Sequence, residues 1–315
     1  LIKVHAVALC TLEQRIFRGE VKMPLPCTGG HEVSGEIVAL GDGVNKKMWA
    51  PGDRVAVRLL YNCGECYYCR TGHANLCERA QKKPVREGLL IGPGGLCDYV
   101  IVNTGYLFKI PDTLSYEEAS LTEPLACVVH SVTKANIQLG EDVVVIGGGI
   151  MGQYHVMLAK RRGARVIMSE VDESRRALAR KLGADITFNP MEKDPVEYVK
   201  SLTEGRGADV VFNTTAIPSV VPQAIAMTGK AGRMIQYSSM HPDAPAPVSP
   251  QMLHGNEPIL TGSISPDVHD FFTANRLLSG GIIDCKPLIA KKFPFEQAQQ
   301  AFEAAIVPGT FRVII

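Results

Sequence analysis

A doubly wound, mostly parallel α/β sheet inserted in a β-rich domain is the fold class this sequence predicts. Three observations carry it. Short apolar runs alternate with helical stretches between Val143 and Ser263, the first 125 residues are rich in Gly, Pro and short apolar runs with few helical periods, and residues 265–315 hold too little to fold alone. A length of 315 residues suits two domains at roughly 150 residues each.

Leu1–Leu9 reads as a strand already in progress, and Gly35–Leu40 and Arg54–Leu59 as further strands. The pairs Gly29-Gly30, Gly94-Gly95 and Gly280-Gly281 mark turns. Strand Val143–Gly147 opens the alternation. Helix Ile150–Arg162, strand Arg165–Glu170, helix Glu173–Leu182, strand Asp185–Phe188, helix Pro195–Leu202, strand Asp209–Phe212, helix Ser219–Met227 and strand Arg233–Tyr237 follow, with a last strand near Ile259–Ser263. Strands separated in this way by helices build a parallel sheet. The run Pro242–Pro250 carries four prolines and reads as a stiff loop. The tail, with two helices and a final strand, is expected to pack back onto the first domain. The expected domains are 1–133 with 265–315, and 134–264.

Net charge is +1, from 33 basic and 32 acidic side chains. That balance gives no electrostatic basis for binding nucleic acid or an anionic membrane surface. No stretch reaches the roughly 20 apolar residues of a membrane span. Four of the nine cysteines crowd into Cys63–Cys77 and the rest are scattered. This usage suits reduced thiols and metal in a cytoplasmic compartment, not a disulfide scaffold. The chain opens on Leu1 inside a strand, so the expectation is that N-terminal strands precede it, with a targeting segment left open.

The spacing Cys63-x2-Cys66-x2-Cys69-x7-Cys77 places four thiolates within fifteen residues. They can surround one ion tetrahedrally and leave no open position, the mark of a structural site. Zinc is the expected ion, and the ligand set taken alone also suits iron–sulfur.

Gly147-Gly148-Gly149-Ile150-Met151-Gly152 follows an expected strand and opens an expected helix. In that context G-x-G-x-x-G cradles a dinucleotide pyrophosphate on the helix N-terminus, with Ile150 and Met151 in the first turn. Glu170 closes the next strand, 18 residues past Gly152. A carboxylate there accepts from the adenosine ribose hydroxyls and repels a 2′-phosphate, which favours NAD over NADP. Arg175 and Arg176 are the counter-signal, since either could reach a phosphate. Thr215 is a further expected cofactor contact.

Gly30-His31-Glu32 with Gly35, Gly52-Asp53-Arg54-Val55, the four-cysteine loop, Glu123-Pro124-Leu125 and the glycine turn stand in a specific order along nearly the whole chain. In this combination the sequence resembles the zinc-containing medium-chain dehydrogenases, near the sorbitol and threonine dehydrogenase branch. The resemblance implies a GroES-like catalytic domain with an inserted Rossmann domain. It also implies two zinc ions per chain and hydride transfer from a secondary alcohol to NAD. By resemblance Cys10, His31 and Glu32 are ligands of a catalytic zinc, and Glu123 is a fourth ligand or a partner of its bound water. A homo-oligomer, dimer or tetramer, is implied in the same way.

The run Cys10-Thr11-Leu12-Glu13-Gln14-Arg15 departs from the family pattern. Leu12 stands where relatives place the hydroxyl that relays the substrate proton, and Arg15 where many place histidine. Arg15 forks naturally onto a carboxylate or phosphate, so the small polar alcohol substrate is expected to carry an anionic group, unless Arg15 pairs with Glu13 or Glu20. Three readings stay open: a polyol or sugar-acid dehydrogenase, a nucleotide-binding relative without turnover, which Leu12 favours, and an NADPH-dependent carbonyl reductase, against which Glu170 speaks.

Overall fold

The computed structural model describes residues 1–24, 26–80 and 91–315. Two compact units divide the chain, Leu1–Cys127 with Pro266–Ile315, and Val128–Ser265. The first expected boundary, 133/134, lies a little later because one helix, Thr122–Ala135, spans both positions.

The first part of the chain forms β1 (Ile2–Ala8), α1 (Thr11–Phe17), β2 (Glu32–Ile37), β3 (Arg54–Arg58), α2 (Tyr67–Arg70), β4 (Tyr99–Val100), β5 (Leu107–Lys109), α3 (Tyr116–Ser120) and α4 (Thr122–Ala135). Next come β6 (Asp142–Ile146), α5 (Ile150–Arg161), β7 (Arg165–Ser169), α6 (Glu173–Leu182), β8 (Ile186–Phe188), α7 (Pro195–Leu202), β9 (Ala208–Asn213), α8 (Val220–Met227), β10 (Thr228–Gln236), α9 (Pro250–Asn256) and β11 (Ile259–Gly262). The tail supplies α10 (Val268–Ser279), β12 (Ile289–Lys292), α11 (Ala298–Ala305) and β13 (Arg312–Ile314). Helices α1 to α4 and strands β4 and β5 were not among the expected elements, nor were β12 and α9. Strand β12, written Ile-Ala-Lys-Lys, is too polar to announce itself, and helix α9 starts at the last proline of the stiff loop, where proline suits a first helical turn.

In the first unit the sheet order is β12-β13-β1-β2-β3-β5, with β4 also pairing β1. Strands β1, β2, β3 and β5 are antiparallel neighbours. Their inward side chains Ile2, Val7, Val33, Ile37, Val55 and Val57 form one apolar cluster. The tail returns to this unit through β13, whose Ile314 lies opposite Ala8 of β1.

The second unit is a six-stranded parallel sheet, β11-β10-β9-β6-β7-β8. Counted along the chain this is 3-2-1-4-5-6 order read from the other edge, the doubly wound arrangement with its switch point between β6 and β9. Val144, Ile146, Ile167, Val211 and Met227 belong to its core. Local chemistry agrees with each helix. Asp172 caps α6, which ends on left-handed Gly183, and Asp194 with Pro195 starts α7. Among the described residues no helix is long and apolar enough to cross a membrane.

His155 on α5 is buried in this second core. Its Nδ1 donates to Met151 O at 2.8 Å, its Nε2 faces Ser131 Oγ at 2.9 Å, and Phe212 and Tyr237 pack on the ring. Burial pushes its pKa down to about 4, with the Met151 carbonyl opposing. The unfolded chain takes up this proton near pH 6.5 and the folded chain near 4, so stability declines as pH falls through that window. The loss is on the order of 3 kcal/mol. Urea titrations from pH 7.5 to 4 should show His155→Gln closing on the parent as pH falls. A stability difference that stays constant with pH would refute this.

Candidate active site

Cys10 ends the segment after β1 and is the N-cap residue of α1, while Glu32 opens β2 with His31 just before it. The antiparallel pairing of β1 with β2, Ala8 opposite Glu32, brings these two chain ends together. One ligand atom from each of Cys10, His31 and Glu32 lies within 4.8 Å of the others. Glu123, in the first turn of α4, is buried beside them, and its charge acts on Glu32. Burial pushes the Glu32 carboxyl up to about 7, Arg312 opposes this, and Glu123 adds to it. A thiol and two carboxyls so crowded favour a divalent cation among them.

The neighbours orient these groups. His31 Nδ1 lies 2.9 Å from Glu13 Oε1, which also accepts from Gly30 N at 3.0 Å. With Nδ1 donating to Glu13, Nε2 is the nitrogen left for a metal, which would displace the second ring proton. Burial alone would lower the His31 pKa, but Glu13 and Cys10 raise it well above its usual value. Arg312 holds both oxygens of Glu32, Nη2 to Oε1 at 2.5 Å and Nε to Oε2 at 2.9 Å. Glu32 therefore has a competitor for its lone pairs that Cys10 and His31 do not.

The second cluster gathers Cys63, Cys66, Cys69 and Cys77 within the same 4.8 Å limit. Cys63 and Cys69 sulfurs are 3.9 Å apart and those of Cys66 and Cys77 4.0 Å. A tetrahedron with Zn–S of ~2.3 Å has edges of about 3.8 Å, so the sulfurs already stand near its corners. Backbone N–H groups of Glu65 and Cys66 point at Cys63 Sγ, and those of Cys63 and Arg79 at Cys77 Sγ. The backbone N–H groups of Cys69 and Glu78 draw the Cys66 thiol down to about 6. Burial and Cys66 push Cys69 up to about 12. Four thiols at this spacing do not all ionise without a cation between them.

At the glycine turn Gly147 has φ of 98°, and a Cβ on Gly152 would stand 1.9 Å from Gly147 O. Both positions require glycine for the fold itself. Gly149 differs, since a Cβ there meets nothing within 4 Å. Gly149 caps α5 with no side-chain hydrogen bond, so the first turn, Ile150 and Met151, faces that open space. This is the space an approaching pyrophosphate needs. Glu170 Oε2 accepts from Gly148 N at 2.5 Å and Oε1 from Asp172 N at 2.9 Å, which fixes the carboxylate beside the turn. Arg175 Nη1 is 3.9 Å from Glu170, whereas Arg176 is committed to Glu170 O, Val171 O and Glu173. Of the two arginines raised as a counter-signal, Arg176 is thus removed. Thr215 donates to Asn213 Oδ1 at 2.8 Å just past β9, and its methyl would touch a Cβ on Gly147.

Residues 1–112 match the model of the alcohol dehydrogenase GroES-like domain, and residues 151–280 that of the zinc-binding dehydrogenase family. The whole chain aligns at 34% identity with 89% of D-arabitol-phosphate dehydrogenase of Enterococcus avium. The chain belongs to the zinc-containing medium-chain dehydrogenase family. It is a zinc-dependent alcohol oxidoreductase. A second relative, 2-dehydro-3-deoxy-L-galactonate 5-dehydrogenase of Pseudoalteromonas atlantica, is 32% identical over 96% of the chain and 86% of its own length. A structure described as a zinc-binding dehydrogenase of Sinorhizobium meliloti, bound to NADP, superposes with a TM-score of 0.89 at 29% identity. It covers 99% of this chain and 90% of its own.

Leu12 is 43% exposed and offers no hydroxyl. Arg15 Nε lies 3.5 Å from Glu20, and Arg18 holds the same carboxylate more closely, at 2.7 Å. The expected partner Glu13 is instead committed to His31. Sequence reasoning missed Arg312, Arg58 and Cys127, whose thiol meets Glu123 Oε1 at 3.4 Å. No local signal marked the arginines, since Arg58 shares its strand with Arg54 and Arg312 is the first residue of β13.

Proposed function

We propose that this dehydrogenase oxidises a secondary alcohol of a polyol or sugar acid with NAD. It binds two zinc ions, one by Cys10, His31 and Glu32, with Glu123 as a fourth ligand or a partner of its bound water, and one by Cys63, Cys66, Cys69 and Cys77. The observation that carries the reading is the convergence of Cys10, His31 and Glu32 within 4.8 Å, around an oriented histidine. Cys10, His31 and Glu32 would hold a zinc ion that would supply a Lewis acid for the alcohol oxygen, and a bound nicotinamide would supply the hydride acceptor. Glu13 sets the His31 tautomer, and Arg312 restrains Glu32. With Leu12 in place of a hydroxyl, Glu123 is the carboxylate at hand to take the proton. The reduced cysteines fit a cytoplasmic setting, and we propose a dimer or tetramer on the family resemblance.

NAD is favoured by Glu170, whose fixed carboxylate suits ribose hydroxyls and opposes a 2′-phosphate. Gly147, Gly149, Ile150, Met151, Gly152 and Thr215 frame the pyrophosphate side, with Arg175 at the edge. Steady-state kinetics with both nucleotides test this. Glu170→Ala should raise the KM for NAD roughly 10- to 150-fold and relax discrimination against NADP. A parent enzyme that already prefers NADP sinks the assignment.

Arg15 supports a substrate with a carboxylate or phosphate. One carboxylate, Glu20, serves two guanidiniums, and Arg18 has the closer claim. Arg15→Ala should cost an acidic polyol about 2 kcal/mol or more in kcat/KM and leave its neutral counterpart nearly unchanged. Equal losses on both would assign Arg15 to the Glu20 ion pair alone.

A further inference from the structure

Arg58 is among the largest fully buried side chains described, 2% exposed, at the end of β3. The β2–β3 register sets it opposite Glu32, and directly paired residues of an antiparallel ladder point to the same face. Among the described residues no carboxylate bonds to it directly. Its Nη1 donates to Leu60 O at 2.8 Å and to Asn62 Oδ1 at 3.0 Å, and its Nη2 to Pro266 O at 3.4 Å. Its Nε has no partner among the described residues. The carboxylates whose charges act on it are Asp267, Glu123 and Asp270.

These contacts lead in two directions. Asn62 immediately precedes Cys63, and Tyr106 OH donates to Asn62 O at 3.3 Å while its ring lies 5.5 Å from the Arg58 guanidinium. Farther along the same loop, Ala74 N donates to Asp267 at 3.3 Å. The stem of the four-cysteine loop and the Pro266–Asp267 segment are therefore both fastened at Arg58. On the other side stand Glu32 and Glu123. An apolar side chain would fill a strand position in an apolar cluster at lower cost than an arginine, so filling space does not account for this residue.

We propose that Arg58 is a positioning residue that ties the four-cysteine loop to the Cys10–His31–Glu32 centre, so that order in the loop governs the geometry and ion retention of that centre. The loop holds little regular structure, a four-residue helix and a short turn, and depends on its sulfurs being gathered. If its stem shifts, Leu60 O and Asn62 Oδ1 leave the guanidinium. Its freed donors then turn to the carboxylates within its field, Glu123 first on the face of the centre, and draw them from a bound ion. The proposal rests on the reading of Cys10, His31 and Glu32 as metal ligands.

The test uses holoenzyme with Co²⁺ exchanged into the Cys10 centre and zinc retained by the four cysteines. Visible absorption reports the ligand geometry, and transfer to a chromogenic chelator reports ion release. Asn62→Ala removes no metal ligand and no buried charge, and serves as the milder variant should Arg58→Met fail to fold. Each single variant is expected to shift the cobalt bands and to speed release roughly tenfold or more, the scale set by lost outer contacts of metal ligands. The double variant should release no faster than either single one, and Arg58→Lys should restore part of the parent behaviour. Unchanged bands and release rates in Asn62→Ala and Arg58→Met, with only thermal stability reduced, overturn the coupling. So do additive effects in the double variant. A parent that takes up no cobalt at Cys10 overturns the metal reading itself, and the coupling with it.

Discussion

Cys69→Ser should bring down the ordered state of the 63–77 loop well below the temperature at which the rest of the chain unfolds. A closed four-thiolate site contributes on the order of 10 kcal/mol to its lobe, and a serine oxygen is a poor replacement for a thiolate. The sulfur spacings of 3.9 and 4.0 Å match the edge of a tetrahedron of thiolates about one zinc ion. Without it, three crowded thiols are left with a 3₁₀ turn at Ala74–Leu76 and the four-residue helix α2. Elemental analysis should fall from two zinc ions per chain to one, and limited proteolysis should cut within the loop. Activity loss should follow the loss of order. A fresh parent protein with only one zinc, or a variant as resistant as the parent, would contradict this.

The second large effect is expected at Cys10. Cys10→Ser should keep its melting behaviour and its structural ion but lose the more readily chelated zinc. Turnover should fall by roughly 10³-fold or more, since the Lewis acid supplies several kcal/mol and each 1.4 kcal/mol is tenfold. The fold should survive because Cys10 is partly exposed, and its contribution to α1 is an N-cap position without a side-chain hydrogen bond. Calorimetry beside metal analysis separates the two outcomes. A variant that melts early with both ions lost would make the site structural, and one with full turnover would remove Cys10 from the chemistry.

Much of this was legible because the sequence carries signals with short reach. The strand–turn–helix at Val143–Arg161 announced itself through glycine positions that only a tight turn and a close helix packing explain, and the clash at Gly152 is the physical form of that signal. Four cysteines in fifteen residues need no long-range information to find one another. The alternation of helices and strands likewise follows from local periodicity, which each segment holds within itself.

Long-range partners were not legible. Arg312 lies 280 positions from Glu32 in the chain, yet it forks onto that carboxylate once β13 pairs beside β1. Nothing near either residue encodes the other. Arg58 reads in sequence as one more charge after Gly52-Asp53-Arg54, and only the β2–β3 register sets it opposite Glu32 and out of water. Glu13 reads in sequence as a possible partner of Arg15, and its commitment to His31 came from the fold bringing α1 beside the residue before β2. The sequence by itself determined the alternating strands and helices of the second unit, the gathering of the four cysteines and the glycine turn, because these follow from neighbours in the chain. The tertiary structure alone decided which buried charges face one another, because a charge finds its partner through sheet register and burial, and both are properties of the assembled fold.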